Sequence, residues 1–349
     1  MVRPIFSYRW GGRMKHAEFQ DWLAQASRLT RSQREKAIVH ISDWPSKSRH
    51  YRQKCTKKTT KSKDEELEKV LKGNPVCPNC SATRAYRWGK RQGLQRYRCR
   101  VCQHTFNVLS QTPLAGLRKK EHWISYADCL EQSLTLRASA AICEIDFKTA
   151  FRWRHRFMEM ISEDQAEDLE GIIEADETFF RESLKGKRRM PRPSRKRGTP
   201  ASKRRRSKEW VKAVIFRDRR GATHELALQE FKAAELVSEL AFSLRSDAVL
   251  CSDGSPVYAK LAKALALHHE SVNVSAGERS RGAFHIQNVN AYHSRLKGWI
   301  RRFHGVGTYY LTNYLGWHRL LDGHQKLLTP SKLICVALGK EHFQPTTPS

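Results

Sequence analysis

The strongest chemical signal in the sequence is a set of four cysteines arranged as two pairs. Cys77 and Cys80 form the first pair, Cys99 and Cys102 form the second, and eighteen residues separate the pairs. A two-residue gap lets both thiolates of a pair face one ion, and two pairs supply the tetrahedral sulfur shell that suits Zn²⁺. Because four thiolates leave no open position for water, we expect a structural zinc; an iron–sulfur cluster or a redox dithiol is the alternative.

The residues between and after these cysteines alternate in the manner of a small antiparallel sheet. Segments 86–89 and 94–98 fit the two arms of a hairpin, and residues 106–108 would add a third strand. The pattern therefore predicts a zinc ribbon over residues 75–108. Its arginines and aromatic residues favour contact with DNA. The alternative is a zinc module that only stabilises the fold.

Two aspartates stand on predicted strands farther along the chain. Residues 171–180 have the pattern of a strand, and alternation places Glu174 and Asp176 on one face. An acidic residue inside a strand is costly unless it is paired or bound to metal. A second apolar strand, 248–252, ends at Asp253, where an aspartate often holds a hard cation such as Mg²⁺. Taken singly, each motif also fits a salt-bridged strand edge or an ordinary Asp-Gly turn.

The order of the predicted elements brings the two aspartates together. It runs as three strands, helix, strand, helix, strand and helix, which is the ribonuclease-H-like order. The first and fourth strands of that fold are neighbours, so Asp176 and Asp253 would meet. The sequence thus predicts an α/β fold with a mixed sheet and flanking helices. After the Asp176 strand, the approximate ranges are 210–217, 223–228, 233–240, 248–252, 257–265, 271–274 and 284–303.

These motifs together resemble the zinc-ribbon subgroup of insertion-sequence transposases, within the DDE recombinase superfamily. The resemblance covers about residues 14–325 and implies an enzyme that binds the ends of an insertion sequence, cleaves DNA and transfers the strands to a target. The implied cofactors are a structural Zn²⁺ and two catalytic Mg²⁺ ions, which would activate a water or a 3′-hydroxyl and stabilise the leaving oxygen. Besides the four cysteines, the resemblance rests on the motifs at 175–180, 185–187, 251–254 and 285–297.

The third ligand of the implied metal site departs from the superfamily pattern. It is usually a glutamate on the last helix, whereas the matching residue here is Asn290, as in some members of the subgroup. An amide oxygen can bind Mg²⁺ but brings no charge, so the site would hold metal more weakly. Glu177 and Glu278 are candidates to replace that charge.

A lysine two helical turns beyond Asn290 completes the implied catalytic set. Lys297 lies on the same helix face as Asn290. It matches the family's lysine that grips a phosphate near the cut site, and a solvated basic residue is the alternative. The implied catalytic residues are Asp176, Asp253, Asn290 and Lys297, of which the first three would bind Mg²⁺.

The chain carries a large excess of positive charge. It has 65 Lys and Arg against 35 Asp and Glu, a formal net charge of +30. Such a charge repels itself unless a polyanion neutralises it, so nucleic acid is the favoured partner, and the sequence offers neither the long apolar run nor the amphipathic anchor of a membrane protein. Residues 181–208 hold fourteen Lys or Arg and one Glu. We expect a loop that neutralises phosphates, with a merely solvated insert as the alternative.

Residues 137–157 predict a helix-turn-helix. The helices would span 137–142 and 147–157, the second with its arginines and lysine on exposed positions, and a plain helical bundle with a solvated basic face is the alternative. The DNA-binding candidates of the whole chain are Lys148, Arg152, Arg154, Arg156, Lys187, Arg188, Arg189, Arg195, Lys196, Arg197, Arg204, Arg205, Arg206 and Arg301.

These patterns predict five segments and a cellular setting. No secretory leader is apparent near Met1, and the remaining cysteines are scattered, so we expect a cytoplasmic, nucleoid-associated protein of a bacterial or archaeal cell. A homodimer or higher oligomer on double-stranded DNA is expected because two transposon ends must be joined. The segments are a helical region with a basic linker at 1–74, the ribbon at 75–108, the helix-turn-helix-like segment at 109–165, the catalytic domain at 166–330 with its basic insertion at 181–208, and a tail at 331–349.

Two other functions are compatible with the sequence. One is a non-catalytic DNA-binding regulator with an inactive transposase fold, which Asn290 favours. The other is a metal-dependent nuclease acting on junctions or RNA hybrids. Metal-dependent nicking of DNA would distinguish an enzyme from the regulator, and substrate preference would distinguish the nuclease.

Overall fold

The structure is a computed structural model, and it describes most of the chain beyond residue 64. Apart from Thr30, the described residues belong to one compact unit, residues 61–349. Most of the predicted segment 1–74 and the candidates Arg197 and Arg204–Arg206 lie outside them. None of the helices in this part of the chain has the length and the apolar run needed to cross a bilayer. The described residues are 30, 65–72, 76–193, 195–196, 207, 209–273, 276–323 and 327–341.

The cysteine module is a three-stranded antiparallel sheet of order β1-β2-β3. Gln92 and Gly93 join the first two strands with positive φ angles of 50° and 77°, as a two-residue type I′ turn requires. The predicted hairpin is confirmed, and the third strand is shorter than the expected 106–108. The strands are β1 (Ala85–Arg91), β2 (Leu94–Cys99) and β3 (Thr105–Phe106).

Helices precede the large sheet. The Thr135 side chain caps α3 by accepting from Ala138 N at 3.4 Å, and the Asp146 side chain caps α4 by accepting from Lys148 N at 2.8 Å. The two helices and the turn between them match the predicted helix-turn-helix, although α4 runs beyond residue 157. The helices are α1 (65–71), α2 (Trp123–Glu131), α3 (Leu136–Ile142) and α4 (Phe147–Glu163).

The large sheet has the order β6-β5-β4-β7-β8. Strands β4, β5 and β6 are antiparallel neighbours, whereas β7 runs parallel to both β4 and β8. This is the ribonuclease-H-like arrangement that the element order predicts. Its strands are β4 (Ile172–Arg181), β5 (Trp210–Asp218), β6 (Thr223–Leu228), β7 (Val249–Ser252) and β8 (His268–Ser271).

The last strand begins three residues earlier than the predicted 271–274. The preceding helix ends at Ala264, and Ala266 takes a positive φ of 54°. Leu267 N then donates to Ala262 O at 2.9 Å, which closes the helix end. This tight stop returns the chain to the sheet at His268.

Helices cover both faces of the sheet. On one face, α5 and α6 bury Ile173 and Ala175 of β4. On the other face, α7 and α8 pack against Ala213 and Ile215 of β5, within the same hydrophobic core as α2 and α4. The helices are α5 (Ala233–Leu240), α6 (Pro256–Ala264), α7 (Gln287–Ile300) and α8 (Leu311–Gly323).

The predicted tail at 331–349 is wrong for its first residues. Residues Pro330–Ala337 form a further helix, α9, with Thr329 as its cap. Leu333 and Ile334 of this helix are fully buried in the core shared with α2 and α4. The helix-turn-helix-like segment therefore shares one core with the C-terminal helices, because its own apolar stripe needs them for burial.

Gly316 tests this shared core, because it lies where α8 meets the end of α4. A Cβ at this position would stand 2.6 Å from Ser162 Cα and 2.9 Å from Ile161 O, both backbone atoms. We expect Gly316→Ala to lower the free energy of unfolding by about 1–3 kcal/mol, measured by urea denaturation. Gly298 in α7 has open space around its Cβ position, so Gly298→Ala is the matched control and should be neutral or stabilising. Equal effects of the two substitutions would contradict the close approach of α8 to α4.

Candidate active site and metal centre

Strand β4 presents its acidic residues to two different layers. Glu174 and Asp176 face α7, where Glu174 accepts from Val289 N at 2.9 Å and Asp176 lies beside His293. Glu177 points to the opposite face, where Tyr258 of α6 donates to its Oε2 at 3.1 Å. The predicted alternation along this strand is confirmed.

Asp176 and Asp253 lie at adjacent positions of neighbouring parallel strands. The register pairs Glu174 with Cys251 and Ala175 with Ser252, so Asp176 and Asp253 are the next residue on each side. Asp253 is exposed at the end of β7, and its Oδ1 accepts from Ser255 N at 3.1 Å. The strand order thus brings the two predicted carboxylates to one edge of the sheet.

A cleft of about 390 Å³ lies between β4 and α7. Asp176, Asn290 and Lys297 all line it, so the structure places three of the four predicted catalytic residues around one space. Asn290 and Lys297 are both exposed, on the same face of α7. The full lining is Asp176, Glu177, Thr178, Phe179, Asn290, His293, Ser294 and Lys297.

Sequence reasoning missed a histidine in this cleft. His293 is buried, and its Nδ1 lies 3.4 Å from Asp176 Oδ2. Its Nε2 is also buried and has no hydrogen-bond partner among the described residues. The available signal was the helical spacing, because His293 follows Asn290 by three residues on the same face. The imidazole is placed to hold the orientation of the Asp176 carboxylate.

Negative charge accumulates beside Asp176. Burial is the main cause that raises the pKa of Glu177 to about 7, and the carboxylates of Asp176 and Asp253 contribute to the same shift. Of the two residues suggested as replacements for the missing charge, Glu177 is part of the lining of the cleft, but its carboxylate accepts from Tyr258 on the opposite face of the sheet. Glu278 is engaged elsewhere, where it accepts from Arg281 and from Asn273 N.

The donor set of the cleft fits a hard divalent cation. Asp176 and Asn290, which carry carboxylate and amide oxygens, line one space, and Asp253 lies at the adjacent strand position. Oxygen ligands of this kind suit Mg²⁺, which would neutralise the neighbouring carboxylates.

Glu174 ties the helix that carries Asn290 to the strand that carries Asp176. Its carboxylate is fully buried, and it accepts from Asn288 Nδ2 and Val289 N, both at 2.9 Å. These donors belong to the first turn of α7, where a helix has unpaired N–H groups and a positive dipole end. Arg219 lies 3.1 Å from the same carboxylate and compensates its charge.

A second buried glutamate holds the middle of α7. Glu225 of β6 is fully buried and accepts from Tyr292 OH at 2.7 Å. Arg319 of α8 donates to its other oxygen at 2.7 Å. Burial raises the pKa of Glu225, while the Arg319 charge acts in the opposite direction. The two glutamates fix the rotation of α7, and this turns Asn290 and His293 toward β4.

The four cysteines of the ribbon converge as the spacing predicts. Their sulfur atoms all lie within 4.8 Å of one another. Cys77 Sγ is 3.5 Å from Cys102 Sγ, and Cys80 Sγ is 3.6 Å from Cys99 Sγ. A tetrahedral site with Zn–S bonds of about 2.3 Å has sulfur–sulfur edges of about 3.8 Å, so the cluster fits Zn²⁺.

Two of the predicted DNA-contacting arginines of α4 are not on its exposed face. Arg154 is 1% exposed, donates to Leu134 O at 2.6 Å and lies over the Trp317 ring. Arg156 donates to Pro113 O and to Ala115 O. The expectation was wrong because both guanidinium groups satisfy carbonyl oxygens of the shared helical core. Lys148 and Arg152, near the start of α4, are exposed as expected.

In the described part of the basic insertion, too, one predicted DNA-binding residue is engaged within the protein and the others are exposed. Arg195 donates to Glu182 O and pairs with Glu209 at 3.6 Å, so it stabilises the base of the insertion. The other DNA-binding candidates of the insertion that the structure describes are exposed and accessible to a polyanion. Arg301, which follows α7, is exposed as well. These exposed residues are Lys187, Arg188, Arg189, Lys196 and Arg301.

We expect Glu174→Gln to lower the free energy of unfolding by about 3 kcal/mol, measured by urea denaturation. The amide leaves Arg219 without its buried counter-charge and turns an N–H donor toward Asn288. Exchange of the Val289 amide hydrogen should also become faster. Glu170→Gln is the matched control, because Glu170 is 35% exposed where it pairs with Arg220, and its loss should cost less than about 1 kcal/mol. Equal losses from the two variants would show that Glu174 does not anchor α7.

The chain is similar to proteins of mobile elements. An uncharacterised protein in the transposable element ISH50 of Halobacterium salinarum is 26% identical over 243 residues, which cover 68% of this chain and 82% of that protein. The Mos1 strand transfer complex matches with 14% identity and a TM-score of 0.23, covering 64% of this chain and 79% of that chain. A pre-cleavage Mos1 transpososome matches with 15% identity and a TM-score of 0.21, covering 62% and 79%. Scores this low do not establish a shared fold.

The region that contains the cleft also matches a known family. A family model described as the ISXO2-like transposase domain matches residues 168–317. This range includes the whole large sheet and both aspartates, together with α7 and its Asn290 and Lys297. Residues 168–317 are therefore similar to the ISXO2-like transposase domain.

Proposed function

We propose that this protein is a Mg²⁺-dependent DNA transposase that binds the ends of an insertion sequence, cleaves them and transfers the strands to target DNA. The observation that carries the proposal is the grouping of Asp176, Asn290 and Lys297 around one cleft, with Asp253 at the adjacent strand position. The transposase domain of residues 168–317 supports it.

Asp176, Asp253 and Asn290 would hold the metal in this proposal. When bound, two Mg²⁺ ions would supply Lewis-acid stabilisation of the attacking and leaving oxygens of an in-line phosphoryl transfer. Glu177 follows Asp176 in β4, but its carboxylate accepts from Tyr258 on the opposite face of the sheet and is not one of these ligands. His293 keeps the Asp176 carboxylate in one orientation, with its Nδ1 3.4 Å away.

Lys297 would bind a phosphate of the DNA beside the reacting position. Its ammonium group lines the cleft that Asp176 and Asn290 also line. The lysine is exposed, so its ammonium group stays hydrated in the absence of DNA and is accessible to a backbone phosphate. The exposed lysines and arginines of the insertion and of α4 would bind the flanking double-stranded DNA, with the steep salt dependence that phosphate contacts give.

The ribbon would bind one structural Zn²⁺ through Cys77, Cys80, Cys99 and Cys102. Val101 N donates to Cys99 Sγ at 3.3 Å, a backbone contact that orients this sulfur. The working unit would be a homodimer or a larger oligomer, since two ends must be joined in one reaction.

A DNA-binding regulator without catalysis is the second candidate, because Asn290 leaves the third ligand uncharged. Strand transfer in Mg²⁺ separates the two functions. With DNA carrying the element's ends, we expect the wild type to nick and join, and Asp253→Ala and Asn290→Ala each to lose at least about a hundredfold in rate. Binding of the ends should persist in both variants.

The control for this assay is an aspartate of the same domain outside the cleft. Asp247 is exposed and pairs with Arg245 at 3.1 Å, so Asp247→Ala should retain the wild-type rate. If the wild type binds the ends but neither nicks nor joins them in Mg²⁺ or Mn²⁺, the enzyme proposal is wrong and the regulator takes its place.

The zinc proposal predicts about one bound zinc per chain, measured by atomic emission of the purified protein. Cys99→Ser should lose the zinc and make the ribbon sensitive to proteolysis, because Cys99 is both a ligand and a buried residue of the small ribbon core. Cys335→Ser is the matched control, since Cys335 lies outside the cluster and should leave the zinc content unchanged. Iron in place of zinc, or no metal in the wild type, would contradict the proposal.

A further inference from the structure

A group of aromatic rings is open to solvent where α4 meets the turn before α8. Phe147 and Phe151 of α4 are 48% and 36% exposed, and Tyr309 is 85% exposed. The spacing of four residues puts the two phenylalanines on one helix face. We call Phe147, Phe151, Tyr309 and Tyr310 the aromatic platform. Large exposed aromatic groups of this kind mark interaction sites in soluble proteins.

The platform is built on a stack of rings rather than on loose side chains. Tyr310 stacks on His155 with centroids 3.7 Å apart. Phe151 and Tyr309 meet the edge of Tyr310 with centroids at 5.4 Å and 5.0 Å. Burial lowers the pKa of His155 to about 4, with the nearby Arg154 charge acting in the same direction, so this supporting ring is neutral at pH 7. The His155 ring therefore supports the platform through its contact with Tyr310.

Hydrogen bonds connect the platform to the strand that carries Asp176. Thr308 N donates to Ser183 O, and Ser183 N donates to Thr308 Oγ1, both at 2.8 Å. Lys185 Nζ donates to Gly305 O at 3.0 Å. Seven residues separate Asp176 from Ser183, which is at most about 23 Å along a strand. That length corresponds to about seven nucleotides of a DNA strand.

The charges around the platform favour a polyanion. Lys148 and Arg152 are exposed and adjoin the phenylalanines in the sequence of α4, and Lys185 and Arg301 are exposed near the turn. Asp146 is occupied as the cap of α4, where it accepts from Lys148 N. Basic residues interleaved with exposed rings are the composition of surfaces that bind unpaired nucleotides, since the rings stack on bases and the cations meet phosphates.

We propose that the aromatic platform stacks an unpaired base of the DNA substrate a few nucleotides from the cut site. The proposal rests on the proposed transposase function and adds a step to it, in which the substrate is distorted or opened beside the cleft. Stacking on the platform would hold the opened strand and thereby align the reacting phosphate with Asp176 and Lys297.

The test uses the full-length protein and DNA that carries the element's ends with one unpaired 2-aminopurine, scanned over positions two to eight from the cut. Wild-type protein should quench the fluorescence at one or two of these positions. Tyr309→Ala and Phe151→Ala should restore the fluorescence and weaken binding of this DNA about five- to a hundredfold. Tyr309→Phe should behave as the wild type, because it keeps the ring.

Phe242→Ala is the matched control, since Phe242 is 94% exposed on the segment after α5 and is not part of the platform. The inference is wrong if the wild type binds and cuts the ends while 2-aminopurine stays unquenched at every position. It is also wrong if Tyr309→Ala and Phe151→Ala give the same quenching and DNA binding as Phe242→Ala. In both cases the proposed function still stands. Variants that change the sedimentation of the protein but not its DNA binding would assign the platform to a protein contact instead. A wild type that neither binds nor cuts would overturn the proposed function itself.

Discussion

The buried carboxylate of Glu174 is the interaction on which the geometry of the site depends. A charge in a sheet interior is costly unless donors surround it, and here the first turn of α7, Arg219 and Asn288 supply them. The same contacts set the position of α7 along β4. Val289 donates its N–H to this carboxylate, and the next residue, Asn290, lines the cleft. The contact that holds α7 and the residue that faces the cleft are therefore neighbours in the chain.

The helical layers extend this anchoring away from the sheet. Glu225 binds both Tyr292 and Arg319, so α7 and α8 are held by one buried charge. Helix α8 then packs on α4, and α9 packs on α2 and α4 in the same core. A segment that the sequence suggests is a separate DNA-reading module therefore shares its core with helices of the domain that contains the cleft. DNA bound at the exposed start of α4 would be held in a defined position relative to the cleft.

The distribution of charge explains how a chain of net charge +30 remains folded. Part of its arginine content faces inward, where Arg154 satisfies a carbonyl and Arg217 lies 3.2 Å from the buried carboxylate of Asp322. The neighbourhood of the cleft carries negative charge instead, where burial and then the carboxylates of Asp176 and Asp253 raise the pKa of Glu177. In the proposed function a metal ion would lower that repulsion, and the exposed lysines and arginines would attract the DNA backbone.

The sequence by itself determined the ribbon and the order of strands and helices, because short periodicities and ligand spacings are local properties of the chain. That order also predicted Asp176 and Asp253 on neighbouring strands, and the register of β4 with β7 places them at adjacent positions. Only the tertiary structure decided that Arg154 is buried, that α9 belongs to the core, and that His293 faces Asp176. The reason is physical: these outcomes depend on partners far away in sequence, as with Glu174 and Asn288, which are 114 residues apart. A local pattern shows which face of an element is apolar or charged, and packing alone selects what that face meets.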